Sequence, residues 1–346
     1  MDSVVNAKPM VVNTICAAVY FDLTDALLDE CLSLGVGIVG CTANIGWDDT
    51  LESMENLQSV KELTRRHGKA YVVQSKVDLE NSQNGDKVGV LLGFQNPKPM
   101  SDSIHFLEAF IDMGLRCCSL GFKDNSYYGC GFSSPVDTGL SVIGQLAVKT
   151  MNRRGVLIDL SHAGDKTAMD AVELSEYPVI FSHSTPRSLI TQRKGEPGWA
   201  GVTFDFERRA APDELIKAAA AKGGVICTDS RLAGSLSTFI DHIDYLTQLV
   251  GTDHVGVSAQ DDWHRTANDV RRAQPYLPGY GAVAGNKKRE YSTDYRIYRM
   301  EDQLGPQVLH EDVLFSALRA KNYSADDIRK ITGGNMLRVL KQTLPD

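Results

Sequence analysis

Two of the eight histidines in this chain occupy near-identical settings, His162 in LIDLSHAG and His183 in VIFSHSTP. Each ends a short apolar run and precedes small or polar residues, which is where a parallel α/β fold collects its chemistry. If the two runs are consecutive parallel strands, their ends lie roughly 5 Å apart and both imidazoles can meet one ligand. Neutral imidazole is the commonest metal ligand and, with an ordinary pKa of about 6.5, an effective proton donor or acceptor near neutrality. Two histidines do not complete a tetrahedral site, so metal binding, acid–base work and plain hydrogen bonding to loop backbone all stay open. Other runs end in Thr42 and Asn44, in Gln95 and Asn96, in Lys123, in Asp159 and Ser161, in Asp229 and Arg231, and in Gln260, Asp261 and Asp262. His254, opening a run, and His105 and His242, inside helical patterns, are expected to be structural.

The elements that must position these residues follow one rhythm. Short β-rich runs are expected over Val11–Ala18, Gly35–Cys41, Ala70–Gln74, Val88–Phe94, Arg116–Gly121, Gly155–Leu160, Pro178–Ser182, Gly223–Cys227 and His254–Ala259. Amphipathic stretches such as DTLESMENLQSVKELTRRH and DKTAMDAVELSE lie between them. That alternation implies right-handed βαβ crossovers and a parallel sheet. Eight or nine units with no GxGxxG or GxxxxGK[ST] after the first strand point to a closed (β/α)8 TIM-type barrel rather than an open nucleotide-binding sheet. A single barrel domain is expected over residues 1–346, with segments 190–206 and 262–296 as lid or binding loops at the mouth.

The composition narrows the function classes. The chain has 346 residues, 42% hydrophobic and 23% charged, with a net charge of -8 and no basic block. Phosphate neutralisation, the main source of nucleic-acid affinity, is therefore not its business. No apolar run reaches the roughly 18 residues of a membrane span, and MDSVVNAKPMVVNTICAAVYFDL lacks the pattern of a secretory leader, so a cytoplasmic protein is expected. Seven scattered cysteines, mostly inside apolar runs, suit reduced core thiols better than a disulfide framework.

Taken together, GVLIDLSHAG, YPVIFSHSTPRSL, PDELIKAAAAKGGVI, FIDHIDYLTQLVGTDHVGV and ITGGNMLRVL resemble successive signatures of the membrane (renal) dipeptidase family, from about Lys87 to Leu340. The resemblance implies a metallo-dependent-hydrolase-like barrel with two zinc ions that cleaves dipeptides bearing a free carboxylate. In that family a His-x-Asp pair on the first strand holds one zinc, a Glu bridges, and two histidines hold the other. His162 and His183 fall on the last two positions. The remaining positions depart from the pattern. The first strand offers Ile15 and Ala17, or Thr14 and Cys16 in a shifted register; Gln95 stands at the bridging Glu; Gln260 stands at the Asp of the last strand; and Phe122, beside Lys123, replaces a substrate-contacting His.

The resulting expectation is a divergent dipeptidase-like enzyme with no metal or one zinc, held by His162 and His183. Its acid–base groups would be His162, His183, Asp261 and Asp262; its substrate contacts would be Gln95, Lys123, Gln260 and Arg209. Arg193 and Lys194 are alternatives to Arg209 for the substrate carboxylate. The expected partner is a small molecule carrying a carboxylate, not nucleic acid or membrane, and a second copy of the chain is a further candidate. The expected reaction is isomerisation, elimination, decarboxylation or cyclisation. A mononuclear zinc dipeptidase or amide hydrolase, with Asp261 or Asp159 as third ligand, is the alternative. A catalytically inactive binding protein is the third reading.

Overall fold

The computed structural model describes residues 10–19, 23–44, 48–82, 85–192, 206–259 and 306–346. Among the described residues there are nine strands: β1 (Val11–Val19), β2 (Val36–Thr42), β3 (Ala70–Val72), β4 (Val88–Phe94), β5 (Cys117–Ser119), β6 (Leu157–Asp159), β7 (Ile180–Ser184), β8 (Val225–Asp229) and β9 (Val255–Ser258). Each corresponds to one of the nine apolar runs. Hydrogen bonding follows the order β1-β2-β4-β5-β6-β7-β8-β9, with β3 off this path against β4, and every ladder is parallel. The (β/α)8 expectation therefore holds, and the ninth strand is accounted for. β4 gives its Val88–Val90 end to β3 and its Gly93–Phe94 end to β5.

The helices between the strands are bounded as their sequences dictate. The helix Thr50–His67 starts with a capping box between Asp49 and Glu52 and carries Arg65, Arg66 and His67 in its last turn, where the helix dipole favours cations. Gly68 then ends it at φ 77°, a left-handed conformation open to glycine at no steric cost. Among the described residues no helix is long and apolar enough to cross a membrane.

Strand alternation sorts side chains into two layers. Outward residues such as Val39, Leu92, Ile158, Phe181 and Ile226 pack under the helices. Inward residues form a separate apolar lumen of Val12, Ile38, Leu91, Cys117, Leu157, Ile180, Val225 and Cys227. The lumen is full: a Cβ on Gly256 would lie 2.6 Å from Cys227 Sγ. Its lower end is floored by Met336, Val339, Leu340 and Leu344, on and just after the helix Asn335–Thr343. Asn335 and Arg338 tie that helix down by donating to the carbonyls of Val255 (2.8 Å), Gly223 (2.7 Å) and Asp253 (2.8 Å).

Further along each strand in the same inward register the residues turn polar: Thr14, Thr42, Ser119, Asp159, Ser182, Asp229 and Ser258, each at most 2% exposed. Because all strands are parallel, this polar ring lies at the C-terminal mouth. On β1 the alternation settles the register left open by the sequence, since Val12 lines the lumen and the Thr14 hydroxyl donates to the Ser182 carbonyl. The side chains of Ile15, Cys16 and Ala17 lie outside the described set. At the seam, where the ladder path ends in β1 and β9, the Asn13 carboxamide stands in for a strand: Nδ2 donates to the Ala259 carbonyl and Oδ1 accepts from the Ala259 N–H, both at 3.0 Å.

Candidate active site

His162 follows β6 and His183 lies within β7, and their Nε2 atoms meet at 2.8 Å. Two backbone irregularities aim them. His162 has φ 70°, an uncommon conformation for a residue with a Cβ. It is held by the Phe132 N–H on the His162 carbonyl at 2.9 Å and by an antiparallel bridge between Gly131 and Ala163. In β7 the register to β8 shifts between Phe181 and Ser184, so that His183 departs from the outward direction that Phe181 predicts for it. A strained backbone at a site is a sign of function when the surroundings over-determine it, as they do here.

Behind the pair lies Asp159, the last residue of β6, 1% exposed. Its Oδ1 accepts the backbone N–H groups of Ser161 and Ser182, each at 3.0 Å, and its Oδ2 lies 2.5 Å from Ser182 Oγ. Ser182 Oγ is in turn 2.7 Å from His183 Nδ1. The His183 N–H donates to Ser161 Oγ at 3.2 Å, which fixes the backbone beneath the ring. Burial pushes the Asp159 carboxyl above its ordinary pKa, against the pull of the donors from Ser182 and Ser161. In front, the His162 ring packs against Phe122 (centroids 4.7 Å) and Phe132 (5.9 Å).

The other sequence candidates divide. Gln95 is buried at the mouth and belongs to an amide network: its N–H donates to Asn44 Oδ1 and its Nε2 to Thr42 Oγ1, both at 3.1 Å, while Asn44 Nδ2 donates to the Asn96 carbonyl at 2.7 Å. Arg209 ends the short helix Phe206–Arg209, with its side chain 6% exposed and Nη2 3.9 Å from Oδ2 of Asp229. The chain after it is pinned over β7 by Ala211 N–H on the Thr185 carbonyl (3.0 Å) and Arg187 N–H on the Ala211 carbonyl (2.8 Å). Lys123 is exposed at the rim beside Phe122. Gln260, Asp261, Asp262, Arg193 and Lys194 lie outside the described residues, as do most of segments 190–206 and all of 262–296. Sequence reasoning missed Ser182 as a link and Phe132 as a wall of the site. Ser182 was visible as a polar residue at an inward position, whereas Phe132 gave no signal because it arrives from a loop. Of the histidines expected to be structural, His242 is buried against Thr228 at 3.4 Å and His254 faces the Gly224 carbonyl at 2.9 Å.

The donor set bears on metal binding. A catalytic zinc takes three protein ligands and leaves the fourth position open. The two facing Nε2 atoms could supply two of them, and the described residues contain no group of three or more His, Cys, Asp and Glu side chains placed to hold a metal. The described residues thus do not make a complete zinc site.

A family model described as membrane dipeptidase (peptidase family M19) matches residues 38–270. The chain belongs to the membrane dipeptidase family. Within it, the chain is similar to dipeptidase 3 of Mus musculus, 25% identical over 224 residues, which cover 61% of this chain and 42% of that protein. Dipeptidase aclJ of Aspergillus oryzae is 26% identical over 266 residues, 73% of this chain and 51% of that one. The chain thus spans about half the length of these curated relatives. An amidohydrolase from Pseudomonas aeruginosa shares the fold at a TM-score of 0.77 and 22% identity, covering 97% of both chains. This member of the membrane dipeptidase family therefore has a (β/α)8 barrel, with His162 and His183 brought together at its mouth.

Proposed function

We propose that this membrane dipeptidase family member acts on a small amino-acid- or dipeptide-derived carboxylate by proton transfer through His162 and His183. The observation that carries the proposal is the Nε2–Nε2 contact of 2.8 Å, the separation at which two imidazoles at the barrel mouth can share one proton. A pair that can give and take a proton near neutrality suits isomerisation, elimination, decarboxylation or cyclisation, and positioned proton transfer contributes roughly 100-fold to 10,000-fold in rate. Arg209, buried at the mouth, would receive the substrate carboxylate, for which a guanidinium has the matching bidentate geometry. Lys123 at the rim and Gln95 in the amide network would meet the rest of the molecule. Thr14, inward on the first strand, and Gln95, where the family resemblance expects charged or imidazole ligands, support a reaction that does not depend on two metals.

A second reading is hydrolysis of a dipeptide or amide with one zinc held by His162 and His183. It is favoured by the convergence of both Nε2 atoms on one point and by the family itself. It needs a third donor, for which Asp261 and Asp159 are the sequence candidates, and Asp159 is bonded to Ser161 and Ser182 instead. Zinc would supply activated water, and the residues of this chain would hold it.

Metal analysis and turnover with and without chelator separate the two readings. The proposal expects fewer than two metals per chain, slow cleavage of a broad dipeptide panel, and conversion of an amino-acid-derived carboxylate that survives chelation but is lost in His162→Asn and His183→Asn. Loss of that conversion on chelation with recovery on added zinc establishes the second reading instead. Two stoichiometric zinc ions with efficient hydrolysis across the panel would overturn both.

A further inference from the structure

Resting on the proton-transfer reading above, we propose that Asp159 and Ser182 are positioning residues that fix the tautomer of His183, so that His183 Nε2 takes the shared proton and His162 Nε2 gives it. Asp159 Oδ1 is already occupied by two backbone N–H groups. Its Oδ2 lies 2.5 Å from Ser182 Oγ, a separation typical of a hydroxyl donating to a carboxylate. A serine has a single O–H, so once that proton points at Asp159 the oxygen can only accept from His183. His183 Nδ1, 2.7 Å away, must then carry a hydrogen, which leaves a bare lone pair on Nε2. At 2.8 Å from that lone pair, His162 Nε2 is the donor.

Burial keeps this ordering intact, since Asp159, Ser182 and His183 are each at most 1% exposed and water does not compete for their protons. A carboxamide in place of the carboxylate reverses the chain. Its oxygen is required by the two backbone N–H groups, so its NH2 faces Ser182 Oγ. Ser182 then donates to His183 Nδ1, and His183 becomes the Nε2–H tautomer.

The test is the long-range proton–nitrogen correlation spectrum of the imidazoles in 15N-labelled full-length protein at mildly alkaline pH, with the His183 signals assigned by their loss in His183→Gln. The wild type is expected to show His183 protonated on Nδ1. Asp159→Asn is expected to show it protonated on Nε2, Ser182→Ala to show a mixture, and Ser182→Thr to restore the wild-type pattern. An Nε2–H tautomer in the wild type, or the same tautomer in wild type and Asp159→Asn, overturns the assignment. If thermal melting shows Asp159→Asn unfolded, the comparison of Ser182→Ala with Ser182→Thr carries the test alone. Where turnover is measurable, Asp159→Asn should lose roughly 10-fold to 100-fold in kcat, the usual range for a group acting through another. The spectrum does not depend on turnover. His162→Asn and His183→Asn variants that keep full activity would sink the proton-transfer reading while the spectrum still decides what Asp159 and Ser182 do.

Discussion

Replacing Asn13 by Ala should open the barrel at its seam. Both backbone groups of Ala259 are buried and both bond the Asn13 carboxamide at 3.0 Å, so truncation strips one donor and one acceptor of their partner in a single step. A buried polar group left unpaired costs roughly 1–3 kcal/mol, which sets the sum at roughly 2–6 kcal/mol. The space vacated is polar and can admit a water that re-pairs one of the two groups, so the expected loss is about 2–4 kcal/mol. Against a total stability of roughly 5–15 kcal/mol that is a large fraction. Urea unfolding followed by circular dichroism measures it, and the slope against denaturant should stay unchanged because the native surface is the same. Asn13→Asp serves as a second probe: ionised, it keeps the bond to the Ala259 N–H but turns an anion on the Ala259 carbonyl. Protonated, it can donate there again. Its folded pKa is therefore raised, its stabilising contribution is present below the unfolded value of about 3.9, and that contribution is lost as pH rises through the folded value. If Asn13→Ala changes stability by less than about 0.5 kcal/mol, within the scatter of ordinary surface changes, the seam is not held as described.

Three further outcomes are expected. At position 162, Gly and Ala both remove the imidazole, but only Gly adopts φ 70° freely, so His162→Gly should be more stable than His162→Ala by roughly 1 kcal/mol; equal urea midpoints would show the backbone there to be unstrained. Burial raises the Asp159 pKa, so the native state binds the extra proton and wild-type stability should fall as pH climbs from the unfolded carboxyl value of about 3.9 through the folded one. Asp159→Asn should flatten that decline in a pH series of thermal melts, and identical profiles would contradict it. Cys31, Cys41, Cys117, Cys118, Cys130 and Cys227 are buried, and desolvation pushes the Cys31 thiol up to about 12, so a thiol reagent should label none of the six until the protein is denatured. Fast native labelling that maps to any of them would mean that the packing around it opens.

The sequence was most legible where a local pattern decides the outcome. Nine β-rich runs gave nine strands among the described residues, because those on the barrel path read as nearly unbroken apolar stretches, while β3, off that path, is only half-buried. Their edges moved where pairing decides them. The run Arg116–Gly121 keeps only Cys117–Ser119, and the seventh strand ends at Ser184 rather than Ser182 because its ladder resumes after the irregularity at Phe181. That one strand of the nine stands outside the barrel path depends on how β4 divides its edge between β3 and β5, which no single stretch encodes. In the site, His162 and His183 were visible from their matching contexts. The link through Ser182 was not, because it requires the relative height of β6 and β7. Asn13 also gave no warning, since a buried amide reads the same whether it serves its own strand or a neighbour 246 residues away.

The floor of the lumen has a consequence for how the molecule comes into being. All nine strands of the described residues end by Ser258, but the side chains that close the lower lumen come from Met336, Val339, Leu340 and Leu344, far downstream in the order of synthesis. A nascent chain that has already emitted these nine strands therefore still has Val12, Leu91, Leu157 and Val225 open to water from below. Such long-range closure is slow to form, and it leaves apolar surface exposed in the interval before it docks. The waiting species is the point in the life of this protein at which a chaperone has something to hold, and at which two growing chains have most reason to stick together.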